Sequence, residues 1–134
     1  MLGPANREGF HTLTAYVMAV DADAVVTFLQ EAFRAEVTYR TIGGAGGHHV
    51  ELQVGDTRVM VGGGNDTVGD PTRSAFFLYV DDVDGVHDAA VAAGAETMIP
   101  PSDGEFEEER GAGVTDPFGN MWFLGRHGPA STST

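Results

Sequence analysis

One order of elements is written twice in this chain, and that repeat restricts the possible folds more than any composition figure. Thr12 to Val20 is a strand-like run of β-branched, aromatic and small apolar residues. Asp21 and Asp23 offer helix N-caps. Val25, Val26, Phe28, Leu29, Ala32 and Phe33 then recur at helical spacing as one broad apolar stripe. Glu36 to Thr41 reads as a strand and Gly43 to Gly47 as a glycine-rich turn. His49, Glu51 and Gln53 alternate with Val50, Leu52 and Val54, the period of a strand with one polar face. Arg58 to Val61 is the return strand. After a Gly-, Asn- and Asp-rich stretch the pattern restarts: a strand over Ser74 to Val80, caps at Asp81 and Asp82, and a helix stripe of Val83, Val86, Ala90 and Ala93 closed by Gly94. Matched without gaps, Val20-Asp21 falls on Val80-Asp81 and Ala35-Glu36 on Ala95-Glu96. A strand-helix-strand-strand-strand unit therefore occurs twice.

The expected fold is α+β: two βαβββ modules, 11–63 and 74–127, joined by a linker over 64–73 within one compact domain. Two half-open mixed sheets, each with a helix on one face, would leave their other faces lining a cleft. Strand alternation then sorts the side chains. Tyr16, Met18, Phe76, Leu78, Val80, Trp122 and Leu124 are expected under the helices. Ala15, Val17, Ala75, Phe77, Tyr79, Met121 and Phe123 are expected on the cleft side with His49, Glu51 and Gln53. The final hairpin is marked by Asp116-Pro117-Phe118-Gly119-Asn120, in which Pro presets φ and Gly and Asn accept positive φ. Met121 to Leu124 is its outgoing strand.

Composition removes several function classes. The 134 residues carry a net charge of −13, and the seven basic residues are all arginine. A nucleic-acid partner needs clustered positive charge, so none is expected. Acidity of this size suits solubility alone or a cationic ligand. The absence of cysteine excludes disulfides, thiolate metal sites and a thiol nucleophile. No run approaches the roughly 18 apolar residues of a membrane span, and no leader segment is evident, so a cytoplasmic location is expected. The Gly43–Gly47 turn lacks the Gly-Lys-Ser/Thr ending of a phosphate loop.

The paired modules, the Tyr79-Val80-Asp81-Asp82-Val83 entry from strand to helix, Ala92-Ala93-Gly94-Ala95 and the Asp116–Asn120 turn together resemble the vicinal oxygen chelate superfamily. That group includes glyoxalases, extradiol dioxygenases, fosfomycin-modifying enzymes and bleomycin-resistance proteins. The resemblance runs from Leu13 to Arg126. It implies a divalent metal held by His, Glu or Gln at four strand positions, which fall here near Ala15, at Met60 or Val61, at Ala75 and at Phe123. None of these ligates a hard or borderline cation. The resemblance thus points to the metal-free, resistance-type branch, whose members are usually dimeric binders that sequester an antibiotic, and no cofactor is expected.

The expected function is metal-independent binding of a hydrophobic, aromatic or cationic natural product by a homodimer. The candidate ligand-binding residues are Val17, His49, Glu51, Gln53, Phe77, Tyr79, Phe106, Met121 and Phe123. The alternative is a glyoxalase-like isomerase or lyase in which His49 and Glu51 work as an acid-base pair. Each feature has a plainer reading beside it. His49 and Glu51 suit a polar wall, the aromatic residues suit ordinary packing, and Phe106 could anchor its loop. The run Glu105, Glu107, Glu108 and Glu109 suits a solvated face, and His48, His87 and His127 read as surface residues.

Overall fold

A computed structural model describes residues 5–43, 46–64 and 71–129. The chain divides into two compact units, Met1–Gln30 with Arg34–Thr72, and Glu31–Phe33 with Arg73–Thr134. Most of the linker expected over 64–73 lies outside the described residues, as do part of the Gly43–Gly47 turn and the ends of the chain.

The first unit runs β1 (Tyr16–Ala19), α1 (Ala22–Phe33), β2 (Glu36–Ile42), β3 (His48–Val54) and β4 (Thr57–Gly63). The second runs β5 (Ala75–Tyr79), α2 (Val83–Ala92), β6 (Glu96–Asp103), β7 (Arg110–Thr115) and β8 (Met121–Arg126). Their sheets have matching orders, β1-β4-β3-β2 and β5-β8-β7-β6, and in each the first strand lies parallel to the last. The architecture is the α+β pair of βαβββ modules read from the repeat.

Helix starts follow the expected chemistry. The Asp21 carboxylate accepts the Ala24 N–H at 3.1 Å, and Asp82 accepts the Gly85 N–H at 2.9 Å. Each satisfies a donor that the first turn leaves without a helical partner. α1 ends at Arg34 in the left-handed region, φ 56, with its N–H returned to Gln30. Ala22, Val25, Val26, Leu29 and Ala32 are buried along one stripe, as are Val17, Val50, Leu52 and Val61 on the sheet. In the second unit Val83 packs with Ala112 and Leu124, flanked by Leu78, Val80, Val86 and Phe33. Burying each such branched side chain is worth about 2 kcal/mol.

The repeat itself needs one correction. The caps Asp21 and Asp82 are 61 residues apart, whereas Ala35 and Ala95, which both bury behind their helices, are 60 apart. α2 is the shorter helix, and the gapless match is one residue out on the β1 side. Because side chains alternate along a strand, that slip turns β1 over. Val17 is 2% exposed and pairs with Val61, which pairs in turn with Val50, so it lies on the buried face and not beside His49 and Glu51. Tyr16 and Met18, expected under the helix, take the face that carries His49 and Glu51. In the second unit Phe76, Leu78, Trp122 and Leu124 share the face under α2, while Ala75, Phe77, Tyr79, Met121 and Phe123 share the other, as expected.

The last turn is organised by Asp116, which is buried. Its Oδ1 accepts the N–H groups of Phe118 and Asn120, each at 2.9 Å. Its Oδ2 accepts Asn120 Nδ2 at 3.1 Å and Trp122 Nε1 at 2.9 Å. Asn120 Oδ1 then receives the Ser74 N–H, fixing the turn to the approach of β5.

Candidate functional site

Two groups of the proposed residues form, one in each unit. In the first, the β3–β4 register sets His49 opposite Gly62 and Glu51 opposite Met60. Tyr16 comes from the neighbouring strand and lays its ring across Gly62; a Cβ built there would stand 2.6 Å from the phenol oxygen. Only glycine leaves that space. Tyr16 Oη thereby reaches His49 Nδ1 at 3.0 Å, and His49 Nε2 reaches Glu51 Oε2 at 2.9 Å. Arg7 meets the same Glu51 oxygen at 3.0 Å and stacks its guanidinium 4.6 Å from the centre of the Tyr39 ring. With Arg7 on its oxygen, Glu51 acts as acceptor, so His49 donates from Nε2 and accepts the Tyr16 hydroxyl at Nδ1.

The result is a continuous chain, Tyr16–His49–Glu51–Arg7, ending in a carboxylate that is 2% exposed. A buried carboxylate needs such partners to offset desolvation. Two members were missed by the sequence reading. Arg7 belongs to a segment that looks like a loose lead-in, and Tyr16 was assigned to the wrong face. Gln53 stands apart from the chain: its amide donates to Gly55 O at 2.9 Å and its oxygen receives Arg58 Nε.

The second group is aromatic. Phe77 and Phe123 are register partners on β5 and β8, and the Phe77 ring lies over Gly125 as Tyr16 lies over Gly62. Tyr79 sits 4.9 Å from Phe77, ring centre to ring centre. Phe106, in the turn Glu105–Glu107, stands edge-on to both Phe77 (5.6 Å) and Phe123 (5.4 Å). Phe77 and Tyr79 are 41% and 67% exposed, and Met121 is exposed at the start of β8. Single exposed apolar residues are unremarkable, whereas these rings form one contiguous set.

Glu108 borders this surface and was read as part of a solvated run. Its side chain is only 11% exposed, receiving Tyr79 Oη at 3.2 Å and His127 Nδ1 at 2.8 Å. Its negative charge holds the Tyr79 phenol above its usual pKa by coulombic repulsion of the phenolate and by the hydrogen bond. His87 is likewise less free than expected, bonded to Asp88 and to Thr97 Oγ1.

Residues 10–124 match the family model described as Glyoxalase/Bleomycin resistance protein/Dioxygenase superfamily. The chain belongs to that superfamily. TioX from Micromonospora sp. ML1 is similar at 28% identity, with 86% of this chain and 98% of that one covered and a TM-score of 0.67. The fosfomycin resistance protein FosX of Mesorhizobium loti (18%; 84% and 88% covered; TM-score 0.62) has the same fold. So does glyoxalase I of Zea mays (18%; TM-score 0.71), where 90% of this chain covers 45% of the maize chain. No curated protein sequence matches significantly.

Superfamily membership raises the question of a metal, and the side chains at the four implied positions bear on it. Ala75 has no donor. Met60 and Phe123 lie on the two non-helix faces with a soft thioether and a hydrocarbon, and Val61 is buried on the opposite face. The slip of β1 makes Thr14, not Ala15, the equivalent of Ala75, with its hydroxyl donated to His11 O at 3.1 Å. These side chains do not fit a hard or borderline divalent cation. Among the described residues, no three His, Asp or Glu side chains converge as a metal site. No helix among them is long and apolar enough to cross a membrane.

Proposed function

We propose that this superfamily member is a metal-independent binding protein, acting as a homodimer, that sequesters a flat aromatic or cationic small molecule. The observation that carries this reading is the aromatic set Phe77, Tyr79 and Phe123, with Phe77 and Tyr79 exposed, beside the nearly buried Glu108. Aromatic faces give a planar ligand its contact area, and the carboxylate complements a positive charge. The net charge of −13 draws cations toward the surface. The likeness to TioX at 28% identity adds a relative of nearly the same length. Titration with a panel of aromatic natural products, followed by mass spectrometry of the recovered ligand, tests it. Saturation at a fixed stoichiometry with ligand returned unchanged is expected; catalytic conversion of the ligand overturns it. Native mass gives the dimer.

A second reading has its own observation, the chain Tyr16–His49–Glu51–Arg7. A partly exposed imidazole held between a phenol and a carboxylate can take up and return a proton at one position, as isomerase or lyase chemistry requires. In this version His49→Ala abolishes turnover of a substrate while the fold persists. Unchanged turnover removes it.

A further inference from the structure

The turn that carries Phe106 is a tight one, closed by the Glu108 N–H on Glu105 O at 3.0 Å. Phe106 (φ 58) and Glu107 (φ 62) are consecutive non-glycine residues in the left-handed region, just after Gly104 at φ 76. Positive φ at both central positions belongs to a type I′ turn, where glycine and asparagine are preferred to phenylalanine and glutamate. The Phe106 ring that this turn carries rests on Phe77 and Phe123. Below it, β7 has Gly111, where a Cβ would approach Phe106 Cδ2 and Glu105 Cβ at 2.9 Å. The sheet registers set Gly111 opposite Gly125, as His49 is set opposite Gly62. The second unit has thus cleared the place that His49 occupies in the first, and a ring from a loop stands in it.

The base of the loop is tied to the sheet and helix independently of its tip. Asp103 and Arg110 pair across its base, through register and through an ion pair at 2.9 Å. The Gly104 N–H also reaches Glu109 O at 3.2 Å. Arg110 further grips Asp84 of α2 with two bonds of 2.8 Å. The tip, Glu105 to Glu107, lies outside this clamp.

We propose that Phe106 is a built-in stand-in for the ligand. It fills the ring seat on Phe77 and Phe123 in the free protein and is displaced when a planar aromatic cation takes that seat and presents its charge to Glu108. Glu108 suits the task because its described partners are a phenol and a histidine, so no arginine already neutralises it. The proposal rests on the binding reading above and adds a competitor to it. A ligand must evict the ring, so the free protein binds more weakly than its surface allows.

Proflavine, a planar cation with its own fluorescence, is the probe, titrated into the full chain at low salt. Phe106→Gly, which suits the left-handed backbone and empties the seat, is expected to bind roughly tenfold more tightly than wild type, as when a seat is free one-tenth of the time. Phe106→Leu keeps an apolar cover and covers the case in which the glycine variant folds poorly; it is expected to fall between the two. Adding Glu108→Gln to Phe106→Gly is expected to remove most of the gain. In wild type, saturation should expose the Glu105–Glu107 tip to a glutamate-specific protease. Equal or weaker binding by both Phe106 variants, or a tip equally protected in the complex, overturns the stand-in while leaving the binding reading intact. Absence of proflavine binding in every variant overturns the proposed seat, and the binding reading falls only if the wider ligand panel fails too.

Discussion

Asp116 shows how much one side chain can carry. Its two oxygens take four donors, two of them from the backbone of a turn and one from the indole of Trp122. A carboxylate is suited to this because it only accepts. In Asp116→Asn one accepting oxygen becomes an NH₂ facing Asn120 Nδ2 and Trp122 Nε1, which are themselves donors. Leaving buried donors unsatisfied costs on the order of 3 kcal/mol here, and the urea midpoint is expected to fall accordingly with an unchanged slope. The Asp-Pro-Phe-Gly-Asn motif announced the turn from sequence alone. It did not announce that the aspartate also reaches the tryptophan, because that bond depends on how far β8 has proceeded.

Among the elements, the first strand was the hardest to orient. β3 declares its faces by strict alternation, and β5 and β8 do so through large aromatics. β1 reads Tyr-Val-Met-Ala, apolar on both sides, and parity had to be borrowed from the repeat, which is one residue out at that point. The polar chain of the first unit was half legible for the same reason: His49 and Glu51 were visible as a pair, Tyr16 and Arg7 were not. Gly62 offers a way to separate these partners. Gly62→Ala is expected to push the Tyr16 ring off the strand and break its bond to His49, leaving His49–Glu51 in place. Imidazole nitrogen NMR of His49 checks this through its Nδ1 signal.

The tie between α2 and β7 has a pH signature. Hydrogen bonding from Arg110 holds the Asp84 carboxyl below its ordinary pKa. A carboxylate depressed in the folded state stabilises it above the unfolded value, and that contribution is lost as pH falls through the lowered folded value. Asp84 is half exposed, so the effect is small and salt-sensitive. Asp84→Asn is expected to lower stability at neutral pH and to flatten the acid limb of the stability curve.

At the scale of the whole molecule, the surplus of negative charge is a standing load on the fold. Self-repulsion among exposed carboxylates weakens as the screening length shrinks from about 30 Å at 0.01 M salt to about 8 Å at 0.15 M. The melting temperature is therefore expected to rise over that range in sodium chloride, as calorimetry would show. The architecture was the most legible level of all, since two copies of one element order with matched caps leave few alternatives. The aromatic surface of the second unit was legible too, while the burial of Glu108 was hidden inside an acidic run.

The unequal lengths of α1 and α2 also govern how this chain can be recombined. Replacing residues 76–94 with residues 16–34 preserves chain length, yet it seats Tyr16 where Phe76 belongs and turns the grafted strand inside out. Replacing 77–94 with the same segment lengthens the chain by one residue and keeps every side chain on its own face. The longer hybrid should unfold cooperatively and the equal-length hybrid should not. Homology by count and homology by shape have parted company in this molecule.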